Sequence, residues 1–240
     1  MGKSKNLTIN GSGSYPGGTY DKISIRGEGT IVNEVESARF HVYGTSNASE
    51  NVTTGSVKIM GEAEFKGNVT AGETLVMGTM LVGKKAKLKK MKVFGSLEVG
   101  EGLSGDEATI KGSIAVNGDV AFETFDSSGG FEIKGLLSAD TIKIGLSFGE
   151  STAEEIGGGK ITVKRAAWLI PFTNISLSKK AGFLSAKLIE GDEIYLENTT
   201  ADIVRGNKVK IGPGCNIGIV EYTNELKNDQ SSTIKTKTKR

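Results

Sequence analysis

The chain has 240 residues, with 30 Lys or Arg against 28 Asp or Glu, 34 glycines and three prolines. A net charge of +2 excludes the plain basic excess of a nucleic-acid binder, and no apolar run approaches the roughly 20 residues that span a bilayer. A single cysteine, Cys215, excludes an internal disulfide and fits a reducing compartment.

The opening MGKSKNL has no hydrophobic region that could act as a secretion signal, and Asn6 stands where myristoylation needs Ser or Thr. The expected location is the cytoplasm, with a membrane-proximal position left open. Residues 1–19 are read as an N-terminal segment and first coil. From there a short figure, apolar–x–apolar–x–Gly, recurs in KISIRG, RFHVYG, SVKIMG, TLVMG, MKVFG and ATIKG. It ends on Gly27, Gly44, Gly61, Gly78, Gly95 and Gly112, at a constant spacing of 17.

Each 17-residue unit carries three period-2 pairs. In the unit ending on Gly78 they are Ala63/Phe65, Val69/Ala71 and Thr74/Val76; one unit later they are Met80/Val82, Ala86/Leu88 and Met91/Val93. Period 2 is a strand signature. Three strands per unit with corners between them predict a triangular β-solenoid coil, with parallel pairing from coil to coil about 4.8 Å apart. A glycine after the third strand predicts a corner needing positive φ. An antiparallel barrel of regular hairpins is the alternative, but a meander does not hold three strand pairs at an unvaried spacing.

The regular solenoid is placed at 20–145, although the phase breaks after Gly112: FEIKG ends at Gly135 and TIKIG at Gly145. GESTAEEIGGG (149–159) reads as a loop, KITVKR (160–165) as a strand, and WLIPFTN (168–174) as an irregular excursion or cap. The whole of 146–182 is therefore expected to be an irregular insertion. Coils resume at 183–225 through Ala186/Leu188, Ile194/Leu196, Ala201/Ile203, Val209/Ile211 and Ile217/Ile219. Residues 226–240, polar and basic, are expected to be a disordered tail.

Residues that carry chemistry are sparse. His41 lies between two inward positions and should face solvent, and one His with one Cys argues against a zinc site or a Cys–His nucleophile. GGGK (157–160) lacks the ending of a phosphate-binding loop. IGPGCNIG (211–218) is similar to the hexapeptide turns of β-helix acyltransferases, and β-helices also host paired carboxylates for glycoside hydrolysis; an enzyme on acyl groups or carbohydrate and a monomeric binding module stand as alternatives to a structural, non-enzymatic chain. No metal or cofactor is expected. In KKAKLKKMK (84–92), Lys85, Lys87, Lys89, Lys90 and Lys92 fall outward, either as a solvated face or as a basic stripe for an acidic partner or anionic lipid.

The 17-residue coils, the recurring figure with its glycine followed by a small or acidic residue, and the lack of catalytic residues resemble the bactofilins, bacterial polymer-forming cytoskeletal proteins. The resemblance covers about residues 20–145 and continues through 193–214, and the two-part organisation is similar to the longer Bacillus-type members. It implies a right-handed β-helix, nucleotide-independent filaments joined through like ends, and scaffolding of cell shape, polarity, envelope synthesis or motility. The implied partner is the chain itself, with a related paralogue or membrane-associated machinery as further candidates. Many members carry a short hydrophobic N-terminal targeting segment; here Met1–Asn6 is polar. Solenoid ends independently expose unpaired backbone and apolar cross-section. That reasoning places Leu7, Ile9, Ile23 and Ile25 at one assembly surface and Ile217, Ile219, Val220 and Tyr222 at the other.

Overall fold

A computed structural model describes residues 5–147, 149–165 and 182–240. The described residues form 22 β-strands and no helix, and every register among them is parallel. They make a β-solenoid, as the 17-residue figure predicts. Contacts divide the chain into two compact units, Met1–Phe122 and Glu123–Arg240.

In the first unit, four-residue strands alternate with eight-residue strands: Thr45–Ala48, Val52–Ile59, Glu62–Phe65, Val69–Val76, Thr79–Val82, Ala86–Val93. Registers advance by one repeat per coil. Val35 pairs with Val52, which pairs with Val69, then Ala86 and Leu103. The eight-residue strands hold two inward pairs separated by two consecutive outward residues, so the second corner lies inside a continuous strand. Three inward pairs per coil are thus present, although only two strands are separated by breaks.

Stacking like positions makes side-chain ladders, and volume is shared along them. Small Ala48 sits beside Phe65 in register, and Phe65 meets Phe40 edge-on with ring centroids 5.5 Å apart. Ser37 Oγ donates to Thr54 Oγ1 at 2.9 Å, which satisfies two hydroxyls inside the stack. Thr74, Ser24 and Ser46 keep buried hydroxyl oxygens with no partner among the described residues.

The corner glycines are present for a reason other than the predicted one. Positive φ among the described glycines occurs at Gly18, Gly149 and Gly214, not in the corner column. The requirement is close approach. The carbonyl of Gly44 accepts the Glu62 N–H at 2.9 Å, and that of Gly61 accepts the Thr79 N–H at 2.9 Å. Each bond draws the carbonyl of one coil under the glycine of the next, where a Cβ would overlap it.

In the second unit the strands are longer: Gly130–Leu146, Glu150–Arg165, Phe183–Leu196, Thr199–Ile211, Asn216–Asn228 and Thr233–Lys239. Two expectations are corrected here. The stretch 149–159 is not a loop: Glu150–Arg165 pairs along its length with Gly130–Leu146 and with Phe183–Leu196. Its inward residues, Ser151, Ala153 and Ile156, are small or widely spaced, which hides them from an apolar-pair search. The tail is not disordered either. Asn216–Asn228 runs through position 226, and Thr233–Lys239 pairs with it in register, Ile217 opposite Ile234 and Tyr222 opposite Lys239. Alternating β-branched threonines suit a strand even where the partner positions are lysines. Of the expected insertion, residues 166–181, which include WLIPFTN, lie outside the described residues.

Candidate functional site

The strands at the two chain ends are each paired on one side only among the described residues. Lys5–Ile9 pairs with the Gly18–Ile25 strand, and Ser12–Tyr15 with Glu28–Ile31. Thr233–Lys239 pairs with Asn216–Asn228. Their other edges offer backbone N–H and C=O groups in rows, the geometry that templates a further strand.

The residues placed at these ends from sequence fall unevenly. Leu7 is half-buried at the N-terminal edge. Ile9, Ile23 and Ile25 are wholly buried, the last two beneath the Lys5–Ile9 strand. Ile217 and Val220 are also wholly buried, under Thr233–Lys239, while Ile219 projects to solvent and Tyr222 is half-buried. The predicted C-terminal surface is therefore one coil too early. The outermost strand there carries Lys235, Lys237 and Lys239, followed by Arg240. Lysines on an edge strand disfavour further pairing by repulsion between like edges.

The lysine run does not form one stripe. Lys87 lies on the face of the Ala86/Leu88 pair and Lys92 on that of the Met91/Val93 pair, with Lys89 and Lys90 at the corner between them. Lys89 faces Asp106 at 3.8 Å and Lys90 faces Glu107 at 3.1 Å. The hydrogen bond to Glu107 raises the Lys90 pKa. Lys85 begins a different ladder: its N–H donates to Asn68 Oδ1 (3.2 Å), Asn68 donates from N–H and Nδ2 to Asn51 Oδ1 (2.9 and 3.0 Å), and Asn51 Nδ2 donates to Glu34 (2.8 Å).

A concave site was missed in the sequence. In the second unit, Gly158, Gly191 and Gly206 stand in register, and the same close approach of carbonyls applies to them. With no side chains in that column, its neighbours wall a groove of about 540 Å³. Glu155, Glu190, Asp192 and Glu221 line it with Arg205, Arg240 and Tyr222. The arginines bind two of the four carboxylates: Arg205 bridges Glu190 at 2.9 Å and Glu221 at 2.6 Å, and Arg240 meets Glu221 at 2.7 Å. Hydrogen bonding from Arg205 lowers the Glu221 pKa, so this carboxyl is a poor proton donor near neutrality. The signal in the sequence was the GGG of 157–159, which pairing across coils turns into a groove floor.

His41 and Cys215 lie in different units. Burial pushes the Cys215 thiol pKa up, which keeps it protonated and weak as a nucleophile. IGPGCNIG forms a turn, with Gly214 at φ +77° and the Asn198 N–H donating to the Pro213 carbonyl at 3.0 Å. Among the described residues no group of three or more His, Cys, Asp or Glu could hold a metal ion.

Compared with known proteins, the chain is 56% identical over 233 residues to YhbE of Bacillus subtilis, a protein described as uncharacterized; the match covers 97% of each chain. The chain belongs to the YhbE family. It is also 51% identical over 105 residues to YhbF of the same organism, likewise described as uncharacterized, across 44% of this chain and 42% of YhbF. No family model and no solved structure matches.

Proposed function

We propose that this chain is a structural scaffold of the cytoplasm that polymerises through solenoid ends without nucleotide. The observation that carries the reading is the N-terminal edge, where Lys5–Ile9 and Ser12–Tyr15 each leave one side unpaired among the described residues. The apolar contribution is smaller than the sequence suggests, because Ile9, Ile23 and Ile25 are already buried. Backbone pairing between edges is the larger part, with about 0.5–1.5 kcal/mol net for each hydrogen bond formed. The lysines of Thr233–Lys239 weaken the joining of two C-terminal edges, so N-terminal edges pair first, and the C-terminal contacts that extend such pairs into filaments need salt to screen the lysines. Similarity to two related Bacillus subtilis chains favours a paralogue as a second building block, and support of cell shape, polarity, envelope or motility follows from the bactofilin resemblance.

Negative-stain electron microscopy of the purified chain without nucleotide tests this. Thin filaments are expected in high salt and paired particles in low salt, both diminished by Leu7→Arg. Ile219→Arg, on a side chain that projects outward from an inner strand, should leave them intact. Discrete particles under all salt conditions, or filaments indifferent to Leu7→Arg, would count against assembly through this edge.

The carboxylate groove favours one second reading, a site for a polysaccharide, with Asp192 and Glu155 as acceptors for sugar hydroxyls and Tyr222 as a stacking surface. Glycan-array binding lost in Asp192→Asn would support it; an array without hits would remove it.

A further inference from the structure

The outer face of the third strand pair in the first unit has a composition unlike its neighbours. In the coils ending on Gly27 through Gly112, the residue just before the glycine is Arg26, Tyr43, Met60, Met77, Phe94 and Lys111. Tyr43, Met60, Met77 and Phe94 are 43–50% exposed and consecutive in register, so they form a ridge about 14 Å long at solenoid spacing. Cations close both ends: Arg26 sits 6.0 Å from the Tyr43 ring centroid and Lys111 5.6 Å from that of Phe94.

The rest of the face is basic. The outward positions two and four residues before the ridge add Lys22, Arg39, Lys58, Lys90 and Lys92, against the carboxylates of Glu73 and Glu107. Arg39 is held by Asp21 and Lys90 by Glu107, while Lys22, Lys58 and Lys92 form no ion pair among the described residues. The field of this face reaches His41, whose pKa is lowered by burial and then by Lys22, Lys58 and Arg39. On the other side of the glycine corner the outward columns hold Glu28, Glu62, Glu64 and Glu98 and no cation. Charge is thus sorted by face, although the net charge of the chain is only +2.

An exposed apolar stripe rimmed by one sign of charge marks a docking surface. Its size indicates the occupant. One column of four side chains is far smaller than the roughly 800 Å² per partner of a stable protein interface. It suits a bilayer, into which aromatic and Met side chains enter at head-group depth while Lys and Arg pair with phosphates. We propose that this face docks the chain on an anionic lipid surface, with the Tyr43–Met60–Met77–Phe94 ridge in the head-group layer and Arg26, Lys22, Lys58, Lys92 and Lys111 pairing with lipid phosphates. This contact uses the solenoid wall and is independent of the ends that the scaffold reading joins.

The test is flotation of the purified full chain with extruded vesicles of phosphatidylcholine alone or mixed with phosphatidylglycerol, in low and high salt. The chain should float with the mixed vesicles, less so in high salt, and stay behind with phosphatidylcholine. Lys58→Glu with Lys92→Glu should weaken partitioning by well over tenfold, since each surface cation contributes roughly fivefold. Met77→Ser with Phe94→Ser removes no charge and should also release the protein. Lys235→Ser, on the C-terminal edge strand, should float like the parent chain. The substituted side chains are exposed, apart from the half-buried Lys58, and circular dichroism checks that the fold is retained. Equal flotation with both vesicle types, or retention by both double variants, overturns the proposal. So does absence of flotation, and if the ridge variants then alter sedimentation of the protein alone, the occupant is a second copy.

Discussion

Replacing Gly61 by alanine tests why the corner column is glycine. An added Cβ would overlap the backbone carbonyl oxygen of Gly44, which cannot swing aside as a side chain would. That carbonyl is fixed by the 2.9 Å bond it accepts from the Glu62 N–H. Making room means stretching this bond, at about 1–3 kcal/mol for a buried group left unsatisfied, and displacing packed strands, at about 1–3 kcal/mol. The expected loss is therefore about 2–6 kcal/mol. A loss of about 3 kcal/mol at a urea slope near 2 kcal/mol/M lowers the unfolding midpoint by about 1.5 M, which circular dichroism resolves easily. Gly61→Asn separates this account from one based on positive φ. Asparagine tolerates the left-handed region, so a conformational requirement would spare it, whereas a missing space penalises it at least as much as alanine. Gly102→Ala is the control: its Cβ would rest 3.5 Å from the Asp119 carbonyl oxygen, an ordinary contact, and stability should barely change. A Gly61→Asn protein as stable as the parent would refute the reasoning.

Thr74→Val should stabilise the first unit by about 1 kcal/mol, because it removes a buried hydroxyl that has no partner among the described residues; a thermal midpoint that falls would show that the hydroxyl has one. Asn51→Ala should cost about 1–2 kcal/mol in urea unfolding, since it strands the Asn68 N–H and the Glu34 carboxylate on the corner ladder; an unchanged midpoint would contradict a role for the ladder. The folded-state pKa of His41 is lowered from 6.5, so its contribution is fully present above pH 6.5 and is lost as pH falls through the folded pKa. His41→Gln should flatten stability against pH in that window. The depressed carboxyls Glu197, Glu221 and Glu225 start from 4.5, so their contributions are lost only in more acidic solution, and an unchanged slope between pH 7 and 5 in His41→Gln would contradict the assignment.

The sequence by itself determined the coil. An inward pair such as Val57/Ile59 recurs as Thr74/Val76 and Met91/Val93 because each coil must place the same positions inside, and a 17-residue period makes parallel register unavoidable. It was less legible where inward residues are small or polar, as in Ser151/Ala153, and where a strand is made of threonine and lysine, as in Thr233–Lys239. Which side of a corner carries charge was also present in the column Arg26, Tyr43, Met60, Met77, Phe94, Lys111, but it appears only when residues are read across coils instead of along the chain. Tertiary structure alone decided the rest. The glycine column reflects a carbonyl supplied by the preceding coil, the groove depends on Gly158, Gly191 and Gly206 coming into register, and the burial of Ile217 and Val220 depends on a further strand laid over them. In each case the deciding atoms come from a neighbouring coil, so the local stretch that contains the residue does not contain its reason.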